Sequence, residues 1–261
     1  MFKATLKNAA IFKKVVDAVK DIVTDANFLC TGEGIQMQAM DSGHCALVTL
    51  TLLADGFLKY SCNKTMQLGI GMAGLARALG CVDGGDKLTI QANSDGDTIR
   101  LLAESNGGGR TAEFELRRLD IETDILQIPD VEYSASIKMP ATELARLIKD
   151  IGTIGEDCRI KICGGGGRVI FSVDGDIGRA SFGVAEDKTS AMEDEQKIIE
   201  CGEGDVGGMF AVRYLLTFTK ATKLCESVEI YMSEGVPLFV NYDMGELGAV
   251  GYYLAPKIEE E

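Results

Sequence analysis

The chain has 261 residues, 46% of them hydrophobic and 25% charged, with 26 Lys and Arg against 40 Asp and Glu for a formal net charge of −14. That length exceeds a disulfide-stapled miniprotein and, at about 150 residues per domain, predicts one large or two modest domains; the composition excludes collagen-like structure and wholesale disorder. The acid excess argues at first sight against nucleic acid and anionic membrane surfaces, although net charge is silent on where the charges lie.

Along the chain, residues 1–7 lack the apolar run of a secretory signal. No stretch reaches the roughly 20 apolar residues of a membrane span. Helical periodicity appears at 11–23, and alternating, β-branched segments bounded by turn residues follow at 34–39 and 46–52. A second helix is predicted over 72–80, then strands over 87–92, 98–103 and 111–116. Residues 118–133 hold a proline and five acidic residues but also Leu126, Ile128 and Val131, which suits a crossover strapped to a surface better than a flexible linker. The second half predicts helices over 141–151 and 211–223 and strands over 168–173 and 227–232. The segment Ala18-Val19-Lys20-Asp21-Ile22 matches Leu147-Ile148-Lys149-Asp150-Ile151 at an offset of 129, and the order strand, helix, strands, helix, strands occurs twice. The expected architecture is α+β with antiparallel sheets: similar domains over 1–117 and 134–261, joined by a connector over 118–133.

The charges are unevenly placed. The four predicted helices carry Lys13, Lys14, Lys20, Arg77, Arg146, Lys149, Arg213, Lys220 and Lys223 against Asp17, Asp21, Glu143 and Asp150, a sum of +5 that leaves −19 elsewhere. Basic helix faces with few base-reading groups fit sequence-independent phosphate contact; the plainer alternative is that Lys and Arg solubilise amphipathic helices.

Motifs of chemistry are few. Gly69-Ile70-Gly71-Met72-Ala73-Gly74 spells a dinucleotide fingerprint and opens a helix, which would make the chain a nucleotide-dependent oxidoreductase. Its neighbours alternate instead of forming buried parallel strands, so these glycines are expected to let a strand pass closely into a helix. His44 is the one histidine, and no nucleophile elbow accompanies it. Eight cysteines without a C-x-x-C pair are expected as reduced, mostly buried thiols, with no zinc site. The acidic runs at 186–187, 193–195 and 259–261 lack divalent-metal spacing. No catalytic constellation and no cofactor are expected.

Several letters together carry a resemblance: Leu126-Gln127-Ile128-Pro129, Met40-Asp41-Ser42 followed by His44, Arg213-Tyr214-Leu215 with Thr219-Lys220-Ala221-Thr222, and the stretch from Tyr252 to Glu261. The whole chain is similar to the proliferating cell nuclear antigen family, the eukaryotic sliding clamps. The resemblance implies a nuclear, non-enzymatic homotrimeric ring whose sheets face outward and whose four helices line a channel for duplex DNA. Such a ring is placed by an ATP-driven loader and tethers polymerases and repair enzymes. Lys13, Lys14, Lys20, Arg77, Arg146, Lys149, Arg213 and Lys220 match the channel. Met40, His44, Cys45, Leu47, Leu126, Ile128, Pro129, Pro237, Tyr253, Leu254, Ala255 and Pro256 match a pocket for a short hydrophobic partner motif, although Leu47 and Leu254 also suit a core. Residues 110–117 (Arg110, Glu113, Phe114, Glu115, Leu116) and 177–184 (Ile177, Arg179, Phe182) match the subunit interface, where Glu113 or Glu115 could meet Arg179. A checkpoint-type ring of non-identical subunits is the alternative clamp. Three departures stand out: Cys45 replaces a valine, the loop at 163–168 lacks the family's modifiable lysine, and the basic position near Gly80 is absent.

Overall fold

The computed structural model describes residues 1–122, 131–190 and 192–258. The first half runs β1 (Phe2–Leu6), α1 (Ala10–Val19), β2 (Asp25–Cys30), β3 (Gly34–Met40), β4 (Ala46–Leu53), β5 (Lys59–Cys62), β6 (Met66–Gly71), α2 (Met72–Gly80), β7 (Lys87–Ala92), β8 (Thr98–Glu104) and β9 (Thr111–Arg117). The second runs β10 (Ala135–Pro140), α3 (Ala141–Gly152), β11 (Asp157–Ile162), β12 (Arg168–Gly175), β13 (Gly178–Ala185), β14 (Ile198–Cys201), β15 (Val206–Ala211), α4 (Val212–Phe218), β16 (Ser227–Met232), β17 (Leu238–Asp243) and β18 (Gly248–Leu254). Element for element the halves have one order. The pairings repeat as well: β1 with β7 as β10 with β16, and β2 with β3 and β6 as β11 with β12 and β15. The duplication hinted at by a five-residue match is therefore structural.

Contacts divide the chain into two compact units. One gathers the described residues of Met1–Ser42, Val48–Gln127 and Met244–Val250; the other gathers Gly43–Leu47, Ile128–Asp243 and Gly251–Glu261. The division is not a single cut, because β4 and β18 are each shared between the units. In the first unit the strand orders are β5-β1-β7-β8-β9 and β4-β3-β2-β6; in the second they are β13-β12-β11-β15 and β14-β10-β16-β17-β18.

Each unit packs a helix pair over its core. Helix α1 buries Phe12, Val15, Val16 and Val19 at one-turn spacing, and α3 buries Leu144, Leu147, Ile148 and Ile151. Helix α1 meets α2, and α3 meets α4. The strands alternate as a one-sided sheet requires: in β11, Cys158, Ile160 and Ile162 are buried while Arg159 and Lys161 are exposed.

Two predicted helices end early. Residues 20–23 turn away because the Val19 carbonyl accepts both the Ile22 and Val23 amides, at 3.0 and 3.3 Å, which tucks Val23 into the core. Residues Thr219–Lys223 tighten into a 3-10 turn, where the Thr217 and Thr219 hydroxyls donate back to the Arg213 and Leu216 carbonyls at 2.9 and 2.7 Å. The expectation of mostly buried thiols is corrected: only Cys30 and Cys158 are buried, while Cys45 and Cys81 are exposed. The others fall at strand ends and turns, where one-sided sheets stop covering side chains.

Candidate nucleic-acid and partner-binding surfaces

On each helix the basic residues occupy the face opposite the core. Lys14, Arg77, Arg146, Lys149, Arg213, Lys220 and Lys223 are exposed; Lys13 and Lys20 are half-buried. Arg146 and Lys149 are one turn apart on α3 and share a face, while Lys220 and Lys223 follow Arg213 of α4 in the 3-10 turn. Several of these cations are restrained locally. Lys13 Nζ donates to the Val82 carbonyl at 2.6 Å, and Lys20 Nζ pairs with Asp17 at 2.5 Å. That hydrogen bond to Asp17 raises the Lys20 pKa. Arg213 lies over the Tyr214 ring at 4.8 Å, which stiffens an otherwise floppy side chain. The helix segments keep their positive sum, since Lys20 and Asp21 leave α1 together.

Among the described residues six strands end a sheet, β5, β6, β9, β13, β14 and β15, and the two longest of them are β9 and β13. β9 ends the five-stranded sheet of the first unit, and β13 ends the four-stranded sheet of the second. Both carry apolar side chains only half covered, Phe114 and Leu116 on β9 and Phe182 on β13, and Ile177 is 80% exposed just before β13. Long, unprotected edges of this kind invite pairing with another chain. Of the charges expected to meet there, Glu113 is already bound to Arg100, and Arg179 to Asp174 at 2.6 Å. Glu115 is thus the better-placed acid for a foreign arginine. Arg110 donates to the Cys81 carbonyl at 3.2 Å and so lies against the end of α2.

Family models for proliferating cell nuclear antigen match the chain from end to end: the N-terminal domain model matches residues 1–126 and the C-terminal domain model residues 127–257. The chain belongs to the proliferating cell nuclear antigen family. Members of this family are non-enzymatic sliding clamps that bind DNA and partner proteins, and the chain has the sliding-clamp domains of that family.

The partner-motif residues of a family clamp are only partly gathered here. In the second unit the Ala255 amide donates to the Cys45 carbonyl at 2.9 Å, which sets the β18 end beside the residue after His44. His44, Cys45, Ala255 and Pro237 are exposed and Tyr253 and Pro256 half-buried, so these present a surface. His44 holds a left-handed backbone, φ 53°, which turns the chain sharply into β4. Leu254 is 1% exposed and Leu47 9%, so both act as core beneath that surface. Met40 ends β3 in the first unit. Leu126, Ile128 and Pro129 lie outside the described residues.

The glycine motif has a packing explanation. The pairings around it are antiparallel, and the Leu119 amide donates to the Gly69 carbonyl at 2.9 Å. A Cβ on Gly69 would stand 2.1 Å from the Leu119 carbonyl oxygen. What passes closely is thus the start of the connector, not only the strand entering α2. Arg118 holds the same stretch, donating to Gly96 and Gln67 carbonyls at 2.7 and 2.8 Å, and Asn27 donates to Ile121 at 2.7 Å. Among the described residues no group of three His, Cys, Asp or Glu is assembled for a metal, and no helix is long and apolar enough to cross a membrane.

Sequence reasoning missed Arg118 and an aromatic row, Tyr231 and Phe239, that continues from Tyr253. Outward positions of β16 and β17 can be found from alternation, but that they adjoin Tyr253 depends on sheet register.

Proposed function

We propose that three copies of this chain close head to tail into a ring around duplex DNA, tethering replicative polymerases and other replication and repair enzymes in the nucleus without catalysing a reaction. The observation that carries this is that the two longest terminal strands, β9 on one unit and β13 on the other, are unlike and keep Phe114, Leu116 and Phe182 only half covered. A heterologous contact between these two edges propagates, and every copy has both of them covered only when it closes. Both edges on one chain favour a homotrimer over a ring of non-identical checkpoint-type subunits. The exposed cations of α1 to α4 would meet phosphates, with contacts loose and numerous so that the ring slides, while the acidic remainder repels DNA from the outside. Pro237, Tyr253, Ala255, Pro256, His44 and Cys45 would take the partner's hydrophobic motif, and an ATP-driven loader would open the ring.

The test is topological. Purified chain should sediment at about 84 kDa, three times 28.0 kDa. Loaded onto circular DNA it should stay bound, and linearising the DNA should release it from the free ends. Retention after linearisation would refute encirclement.

A further inference from the structure

The outer face of the second unit carries a row of side chains in exact cross-strand register. Glu200 on β14 lies opposite Ser136 on β10, Ser136 opposite Tyr231 on β16, and Tyr231 opposite Phe239 on β17. Phe239 then stacks on Tyr253 of β18, with ring centroids 4.5 Å apart and planes 18° apart. Their chain neighbours Ile230, Met232, Leu238, Val240 and Leu254 are buried, so the row points away from the core. Tyr231 stacks on Phe239 at 5.7 Å and 22°, which covers one face of its ring. Tyr133 leans on it at 44°. On the side away from Phe239 the next position in the row is not a ring but Ser136, and beyond it Glu200, whose carboxylate accepts from the Ser136 hydroxyl at 3.5 Å.

Two strand spacings, about 10 Å in all, separate Tyr231 from Glu200. With a small residue as floor, that interval takes one planar group: a face against the ring and an edge toward the carboxylate. The surroundings select its charge. Glu229 accepts from the Tyr231 hydroxyl at 2.9 Å, Glu132 and Glu234 flank the Ser134–Ser233 contact nearby, and Lys138 stands one row away opposite Glu229. Burial, then Glu229, then Glu200 push the Tyr231 hydroxyl up to about 12, as expected of a phenol among carboxylates.

We propose that the slot between Tyr231 and Glu200 binds an arginine side chain of partner proteins, outside their hydrophobic motif. A guanidinium is planar, stacks on an aromatic face and presents a fork of donors to a carboxylate, whereas an ammonium does only the last, as a point charge. The slot lies three strands from Tyr253, about 14 Å, or roughly four extended residues. It therefore reads an arginine about four residues from the partner's aromatic anchors. This rests on the partner pocket proposed above.

The experiment is fluorescence polarisation with synthetic peptides that place two adjacent aromatics and one aliphatic on a single helical turn. An arginine, lysine or alanine is walked through the roughly six positions on either side. On the unaltered chain, arginine at one placement should bind about fivefold tighter than alanine there, and lysine less so. Tyr231→Ser and Glu200→Gln should each erase that advantage while the alanine peptide binds as before. Glu200 is exposed, so its substitution leaves folding intact. Equal binding of arginine and alanine peptides at every placement, or an advantage that survives both substitutions, would overturn the slot. So would a lysine advantage equal to that of arginine. If no peptide binds at all, the pocket reading itself fails, and the slot with it.

Discussion

Gly69→Ala and Gly74→Ala separate a packing glycine from a merely permissive one within a single six-residue motif. The alanine Cβ at 69 would lie 2.1 Å from the Leu119 oxygen and 3.0 Å from the Leu119 carbonyl carbon and Asn27 Oδ1. Because the obstacle is backbone, the connector start must move by more than an ångström. That breaks the Leu119–Gly69 bond and strains the Asn27–Ile121 bond, each worth about 1 kcal/mol. Residual overpacking adds about 1–2 kcal/mol. The expected loss is about 2–4 kcal/mol, a fall in melting temperature of roughly 5–12 °C for a chain of this size. At Gly74, inside α2, a Cβ would meet nothing within 4 Å, so alanine should stabilise by about 0.5–1 kcal/mol. Differential scanning calorimetry of both variants decides. A Gly69→Ala melt within a degree of wild type, or equal losses at both positions, would refute the role given to Leu119.

Other consequences are as direct. Tyr242 is fully buried and its hydroxyl makes no hydrogen bond of good geometry among the described residues, with the Thr222 side chain beside it, so Tyr242→Phe should keep or raise stability, by up to about 1 kcal/mol, in urea titrations; a loss of that size would show that Thr222 bonds it. Phe182→Glu on the open β13 edge should reduce the sedimenting species to 28.0 kDa, and Glu115→Arg should weaken assembly more than Glu113→Gln, whose parent is already engaged with Arg100. A persistent trimer in Phe182→Glu would disqualify that edge. Asp205 accepts from Lys161 and from the Gly164 amide, which hold its carboxyl below 3.8. A depressed folded pKa contributes stability that is complete above the unfolded value, about 3.8–3.9, and is lost as pH falls through the lower folded one. The protection factor of the Gly164 amide should therefore fall as pH drops below about 4 in wild type and lose that dependence in Asp205→Asn.

Periodicity made the elements legible to the extent that local pattern decides them. Met72–Gly80 was readable residue for residue because apolar spacing and the strand–glycine entry agree. Ile22 and Val23 mislead, since they continue the apolar rhythm of α1 while a single carbonyl turns the chain beneath them. The basic face was visible in helix composition. The candidate partner surface was visible only by resemblance, and Leu47 and Leu254 show why: apolar residues at a strand end look alike whether they cover a core or form a cleft. The slot at Ser136 could not be read at all. It depends on register among residues 64 and 95 positions apart, and pairing at that distance leaves no local trace.

The loop that replaces the family's modifiable lysine limits how a lysine could return. Its four glycine amides are all engaged: Gly164 with Asp205, Gly165 with Gly202, Gly166 with Cys163 and Gly167 with Ile199. At Gly164 and Gly166 any side chain would run into a carbonyl oxygen at 2.3 or 2.7 Å. Gly165 and Gly167 have open space, and there a lysine would cost about 1–2 kcal/mol for the left-handed backbone alone. Of the four glycines, then, two are closed to attachment chemistry and two could carry it at that cost in backbone strain.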